Sequence, residues 1–210
     1  TTLSAVAAPM PQANIDTDVI MPKQFLKRID RAGLAVGVFH DLRFSDGAPN
    51  PDFVLNRAPY DAAQILVCGD NFGCGSSREY AVWGLLQLGI RAIIAPSFAG
   101  IFFGNCEKNG LLAITLPEGD VRRLMELVQG AATAKLTIDL PNQTIVGAME
   151  GAIPFDISAS RKTALISGAD HVEMTLRDHQ AISRFEAVQR ISAPWLWQDR
   201  RQVPVGSAVE

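Results

Sequence analysis

The sequence predicts an α/β fold, a layered β/β/α domain rather than a doubly wound parallel sheet, and three observations carry that expectation. Between residues 64 and 96 an apolar run, "QILVC", leads through a glycine-rich loop into a helix-period stretch and out into a second apolar run, "RAIIAP". Strand, loop, helix and strand within about 30 residues make a βαβ unit with parallel strands. Further on, "EGDVRRLMELVQG" sets Val121, Leu124, Met125 and Val128 at helical spacing. After it, "KLTIDL-PNQ-TIVGAM" alternates apolar and polar residues about a Pro-Asn turn, the pattern of an antiparallel hairpin. Parallel pieces in the middle and antiparallel pieces later suit a layered arrangement.

In chain order, "NIDTDVIMPKQFLKRIDRAG" opens on a turn-like Asn-Ile-Asp-Thr-Asp, passes a short apolar run and Pro22, and enters a helical turn. "HDLRFSDGAPNPDFVLN" is punctuated by Asp-Gly and Pro-Asn-Pro and predicts a long irregular loop, a kind of segment that often serves function. Residues 64–68 predict a buried strand, and a helix is expected from about Ser77 to Leu88 with Gly89 as its C-cap. After the strand at Arg91–Pro96, "SFAGIFFGNCEKNG" predicts a short helix ending at Gly110, and "LLAITL" a third strand. "ISASRKTALISG" and "HVEMTLRDHQAISRFEAVQR" predict two final helices, and "QDRRQVPVGSAVE" is polar and expected to be loose. One domain over residues 1–197 with a tail over 198–210 follows, with no internal repeat and no low-complexity segment.

The chain has 210 residues, 48% hydrophobic and 20% charged, enough for a sizeable core. A net charge of −3 and a pI near 5.6 argue against nucleic acid or an anionic membrane as the main partner. Cys68, Cys74 and Cys106 are an odd number without framework spacing, so free thiols and a reducing compartment are expected. His40, His171 and His179 form no HExxH or Cys–His cluster, which disfavours a zinc site. No apolar stretch reaches the ~18 residues of a membrane span. The N-terminus lacks a basic n-region and starts at Thr1 rather than Met, so trimming and a cytoplasmic location are expected.

The chemistry concentrates in "GDNFGCGSSREYAVWGLLQLG", Gly69 to Gly89. Walker A fails because Ser76, not lysine, follows Gly75. The dinucleotide fingerprint fails because Arg78 stands where a small residue must pack helix on strand. Glycines 69, 73 and 75 permit positive φ and bring backbone N–H groups near a ligand. A helix start adds unpaired donors and partial positive charge, and Arg78 adds a planar fork suited to carboxylate or phosphate. Ser76-x-x-Glu79 also reads as a capping box, which is the plain role for both residues. A G-x-S-x-G elbow is absent and no histidine base stands nearby. A serine reacting here must act as its alkoxide, which requires strong positive potential from N–H groups, arginine or a metal.

These residues are specific enough to carry a resemblance. "NFGCGSSREYAVWGLLQLGIRAIIAPSFAGIFFGNCEKNGLLAITL", together with "NIDTDVIMPKQFL" and "HDLRFSDGAPNPDFVLN", resembles the small subunits of 3-isopropylmalate dehydratase, the separate swivel domain of the aconitase superfamily, over roughly residues 5–197. The resemblance implies a heterodimer in which a large subunit carries a [4Fe–4S] cluster on its own cysteines, with one iron open as Lewis acid for the departing hydroxyl. It implies interconversion of 2- and 3-isopropylmalate through isopropylmaleate, in leucine biosynthesis. By the matching string, Ser76 is the alkoxide base that takes the proton from carbon, and Ser77 and Arg78 contact a substrate carboxylate. The anion is then a small dicarboxylate. Asp18, in the "DTD" turn, either lines the same cleft or serves only as a turn residue.

Tyr80 and Val82 stand where family members commonly have His and Pro, which leaves room for a related hydro-lyase acting on 2-methylmalate/citraconate or dimethylmalate. Substrate choice is expected in the 39–47 loop, where Phe39, Leu42 and Phe44 could offer apolar surface. Arg43 is the awkward residue there, expected to be solvated or bound to Asp41 or Asp46. Trp195 and Trp197 either anchor a partner or pack on their own domain. A non-catalytic anion-binding module is the competing reading from another class.

Overall fold

The computed structural model describes residues 1–27, 31–130, 132, 134–148 and 150–197. Two of its strands are buried on both faces: β4 (Ile65–Cys68) and β5 (Ala92–Ala95) have no exposed residue. Continuous apolar runs of this kind belong at the centre of a parallel sheet covered on both sides. β5 pairs in parallel with β4 and with β6 (Leu112–Thr115).

On its other edge β4 pairs in parallel with β1 (Thr2–Met10), a strand the sequence reading did not foresee. β1 changes partner along its length. Its residues Ala7–Met10 pair with β4, whereas Thr2–Val6 pair antiparallel with β7 (Lys135–Asp139). β7 continues into the expected hairpin with β8 (Thr144–Val146), and β9 (Ile153–Pro154) closes that edge. The seven-stranded sheet therefore runs β6-β5-β4-β1-β7-β8-β9, half parallel and half antiparallel.

Alternation along the parallel strands divides the core in two. Ala8, Met10, Leu66, Cys68, Ile93 and Ala95 face α3 (Glu79–Leu88) and α4 (Gly100–Asn109). Ala7, Ile65, Val67, Ala92 and Ile94 face α5 (Glu118–Gln129) and share a cluster with Leu136, Ile138 and Ile145 of the antiparallel half. This is the layered class the sequence predicts. The expected stripe of α5, Val121, Leu124, Met125 and Val128, is buried, each side chain worth about 1.5–3 kcal/mol relative to exposure. Tyr60 closes the end of α5, its hydroxyl shared between the carbonyls of Val128 (2.7 Å) and Gln129 (2.9 Å). Gly89 and Gly110 cap α3 and α4 in the left-handed conformation, as predicted.

The N-terminal segment holds α1 (Thr17–Ile20) and a short 3-10 turn at Lys23–Phe25. The segment predicted as irregular loop is more ordered than that: it forms α2 (His40–Arg43) and a small hairpin of β2 (Phe44–Ser45) with β3 (Ala48–Pro49). α6 (Ala159–Ser167) is capped by Ser158, whose hydroxyl accepts from the Arg161 N–H at 3.4 Å.

Residues 1–170 form one compact unit and the chain from 171 onward a second. The single helix predicted in the second unit is two, α7 (His171–Leu176) and α8 (His179–Ser192), separated by a turn in which the Asp178 N–H donates to the Thr175 carbonyl at 3.0 Å. A 3-10 turn at Pro194–Leu196 follows, and the Arg190 guanidinium lies 4.5 Å from the Trp197 ring centroid while Trp195 stays exposed. The predicted loose tail, 198–210, lies outside the described residues. Among the described residues no helix is long and apolar enough to cross a membrane.

Candidate functional site

The glycine-rich loop leaves the carboxyl end of β4, the side of an open α/β sheet where ligands commonly bind. It threads between two neighbouring segments. On one side the Gly73 N–H donates to the Ile15 carbonyl and the Thr17 N–H to the Cys74 carbonyl, both at 2.8 Å. On the other the Phe72 N–H donates to Ser97 O at 3.1 Å and the Ala99 N–H to Phe72 O at 3.0 Å. Ser97 adds side-chain ties, donating to Asp70 Oδ1 at 2.5 Å and accepting from the Asn71 N–H at 3.0 Å.

Two of the three loop glycines have the positive φ expected of them, Gly73 at +77° and Gly75 at +88°. Gly69 is needed for a different reason, because a Cβ there would stand 2.5 Å from the Gln12 carbonyl oxygen. Beyond Gly75 the chain presents the candidate residues. Ser76 and Ser77 are exposed, and among the described residues neither hydroxyl has a hydrogen-bond partner. The backbone N–H groups of Gly75, Ser76, Ser77 and Arg78 likewise donate to no described group.

The capping box does not form. The helix begins at Glu79 rather than Ser77, and its N-cap is Arg78 in extended conformation (φ −126°, ψ 101°), with no side-chain cap. The Glu79 carboxylate is taken instead by Asn109, whose Nδ2 donates to Oε1 at 2.7 Å and whose Oδ1 accepts from Trp83 Nε1 at 2.8 Å. This network ties the start of α3 to the end of α4, and Ser76 is left out of it.

Arg78 turns back toward the N-terminal segment. Its side chain is 11% exposed, and Nη1 donates to Asp18 Oδ1 and, at 3.4 Å, to the Met21 carbonyl. The "DTD" turn divides its labour. Asp16 is the helix cap, accepting from the Val19 N–H at 2.7 Å, which frees Asp18 from a turn role. Thr17, 2% exposed, donates its hydroxyl to the Ser76 carbonyl at 2.7 Å. Thr17 was not foreseen as a site residue, since nothing local marks a contact spanning 59 positions.

The four candidates of the 39–47 segment separate. Phe39 is fully buried, packed 5.8 Å from the Phe53 ring, so it offers no apolar surface to a ligand. Its N–H donates to the Ile20 carbonyl at 2.9 Å, tying α2 to α1, the helix that carries Asp18. Arg43 binds neither Asp41 nor Asp46; Nη1 donates to the carbonyls of Ala35 (3.0 Å) and Val38 (3.3 Å) at the end of a 3-10 turn, where the Val38 N–H also donates to Ala35 O. Burial lowers the Arg43 pKa from its ordinary value. Leu42 is exposed. Phe44 alone of the four lines a groove of about 490 Å³, with Phe25, Val36, His40, Asp41 and Asp46.

Among the described residues no three His, Cys, Asp or Glu side chains are grouped to hold a metal ion. The three cysteines are free; Cys68 and Cys106 are buried, and burial pushes both thiols well above the ordinary range.

Known proteins match this arrangement closely. The aconitase C-terminal domain model matches residues 1–119, and a second model, LeuD_N, matches residues 122–159. The 3-isopropylmalate dehydratase small subunit of Rhodospirillum rubrum is 52% identical over 197 residues, 93% of this chain and 95% of that protein. The subunit of the same name from Dinoroseobacter shibae is 52% identical over 93% of this chain and 98% of its own. The crystal structure of 3-isopropylmalate dehydratase from Methanocaldococcus jannaschii superposes with a TM-score of 0.64 at 26% identity, covering 89% of this chain and 99% of that one. A domain model spanning more than half the chain and relatives matching at half identity along nearly its whole length make this chain a member of the 3-isopropylmalate dehydratase small-subunit family, an aconitase-type hydro-lyase family.

Proposed function

We propose that the chain supplies one wall of an isopropylmalate isomerase active site in leucine biosynthesis, completed by a large subunit that carries a [4Fe–4S] cluster. The supporting observation is the run Gly75–Arg78: four successive amides and two hydroxyls that have no partner among the described residues, at the mouth of a helix whose arginine is already fixed in place. Ser76 Oγ, as alkoxide, takes the proton from the carbon next to a substrate carboxylate. The C–H electron pair becomes the C=C bond as hydroxide leaves the neighbouring carbon, and rehydration with the opposite regiochemistry gives the isomer. The charge of Arg78 is offset by Asp18, so the unpaired amides and the start of α3 carry most of the positive potential an alkoxide needs. Arg78 contributes geometry: held through Nη1, it offers the rest of its planar fork to a carboxylate. Ser77 contacts the same carboxylate.

The donor set of this chain does not suit a cluster, because two of its three thiols are buried and held protonated. In this proposal the cluster is wholly the large subunit's, and no step on this side of the cleft passes through it. Selection among C3 substituents falls to the groove at Phe44 and Phe25 rather than to Phe39 or Arg43.

The test is Ser76→Ala in the chain co-expressed with its large subunit. Because the Ser76 hydroxyl holds nothing in place, thermal stability is expected to stay unchanged while kcat falls ~10²–10⁴-fold, the usual cost of losing a positioned base. Arg78→Lys keeps the charge and loses the fork, so it is expected chiefly to raise KM. Near-full kcat in Ser76→Ala would refute the assignment of the base.

A further inference from the structure

One residue of α1 holds two carbonyls of the glycine loop. The Thr17 N–H donates to Cys74 O at 2.8 Å and the Thr17 hydroxyl donates to Ser76 O at 2.7 Å. Both peptides that follow, 74–75 and 76–77, are trans. In a trans peptide the C=O and N–H vectors point in opposite directions. Drawing the two carbonyls toward α1 therefore turns the Gly75 and Ser77 N–H groups away from it, and neither has a partner among the described residues. Thr17 is almost fully buried whereas Gly75 and Ser77 are exposed, so the amides are turned from the protein side to the open side of the loop. Gly75, which lies between the two carbonyls, holds a positive φ of 88°.

We propose that Thr17 is a positioning residue: its hydroxyl fixes the plane of the Ser76–Ser77 peptide so that the Ser77 N–H faces the substrate carboxylate. The inference rests on the reading of this loop as the dicarboxylate site and adds a residue to it. Without the hydroxyl the Ser76 carbonyl loses its one partner among the described residues and the plane is free to rotate, which would present a carbonyl oxygen to an anion. The backbone bond to Cys74 survives, so the loop stays attached and the loss is one of orientation.

The experiment compares Thr17→Val, which keeps the shape and removes the hydroxyl, with Thr17→Ser, which keeps the hydroxyl, both in the complex with the large subunit and beside Ser76→Ala. Outright removal of a comparable oxyanion donor costs ~10²–10³-fold in kcat, so loosening one is expected to lower kcat/KM by about 10–100-fold in Thr17→Val. Thr17→Ser is expected to stay within about threefold of the parent. The Ser77 amide resonance of the parent complex, labelled at serine nitrogen, is expected to move on adding isopropylmalate, and to move less in Thr17→Val. Parent-like kinetics in Thr17→Val, equal damage in Thr17→Ser, or an unresponsive Ser77 amide in the parent would each overturn the inference, the last without requiring any variant to fold. Failure of the underlying reading is separately visible, because Ser76→Ala would then retain its kcat.

Discussion

Replacing Gly73 with alanine tests whether the glycine loop is held by its contacts or only by its composition. The residue sits at φ +77°, and a Cβ built on it would lie 2.2 Å from Phe102 Cγ and 2.7 Å from Phe102 Cβ. Phe102 Cβ does not move when the ring changes rotamer, so a rotamer change alone does not clear the clash. The ring itself is 2% exposed and packs edge-on to Phe72 at 5.4 Å. A left-handed residue bearing a Cβ costs about 1–2 kcal/mol, and forcing an extra carbon into a packed site about 1–3 kcal/mol. Together they amount to about 2–5 kcal/mol, or roughly 4–20 °C in Tm for a chain of this size. Gly75→Ala is the control. Its φ is +88°, yet its Cβ would stand 3.3 Å from Asp16 Cβ, so it incurs the backbone strain and little else, about 2–8 °C. Thermal unfolding followed by circular dichroism separates the two. A Gly73→Ala variant melting within 2 °C of the parent, or one melting above Gly75→Ala, would refute the argument that Phe102 fixes the loop.

Tyr60→Phe removes the hydroxyl that both Val128 and Gln129 carbonyls accept from at the end of α5. Leaving such acceptors unsatisfied costs about 1–3 kcal/mol, so Tm is expected to fall by about 2–12 °C; an unchanged melting curve would refute the capping role. Titration with a thiol reagent at pH 8 is expected to find Cys74 reactive and Cys68 and Cys106 silent until the chain is unfolded, because burial raises both of their pKa values. The folded values lie above the unfolded one near 8.5, so this contribution to stability is complete below about pH 8.5 and declines as pH climbs toward the folded values.

What the sequence made legible follows from how local each signal is. The helices α3, α4 and α5 with their glycine caps, the buried runs of β4 and β5 and the hairpin of β7 and β8 all rest on periodicity or a turn within a few residues. β1 escaped because its inward residues include Ala5, Ala7 and Ala8, which are buried yet look unremarkable in a sequence. Ser76 and Glu79 have the right spacing for a capping box, but Asn109, 30 positions away, binds the glutamate and the helix starts late. Arg43 was expected to be solvated or bound to Asp41 or Asp46, and instead donates to the carbonyls of Ala35 and Val38. The candidate string Ser76-Ser77-Arg78 was readable as a unit; the two residues that hold it, Asp18 and Thr17, are separated from it by about 60 positions.

The divided pairing of β1 bears on how the chain comes to fold during synthesis. β1, made before the other strands described, is a central one, and its opening half has no partner until β7, with register as distant as Thr2 against Asp139. The parallel half can assemble as soon as β6 has been made, but one flank of the sheet then remains an open edge, the kind of surface that recruits foreign strands. Contacts so far apart in the sequence slow folding, because the intervening loop must be closed before they form. The α1 segment hangs directly from the end of this strand, and with it Thr17 and Asp18. The nascent chain thus carries the loop with Ser76 well before the hairpin that secures its first strand has been made.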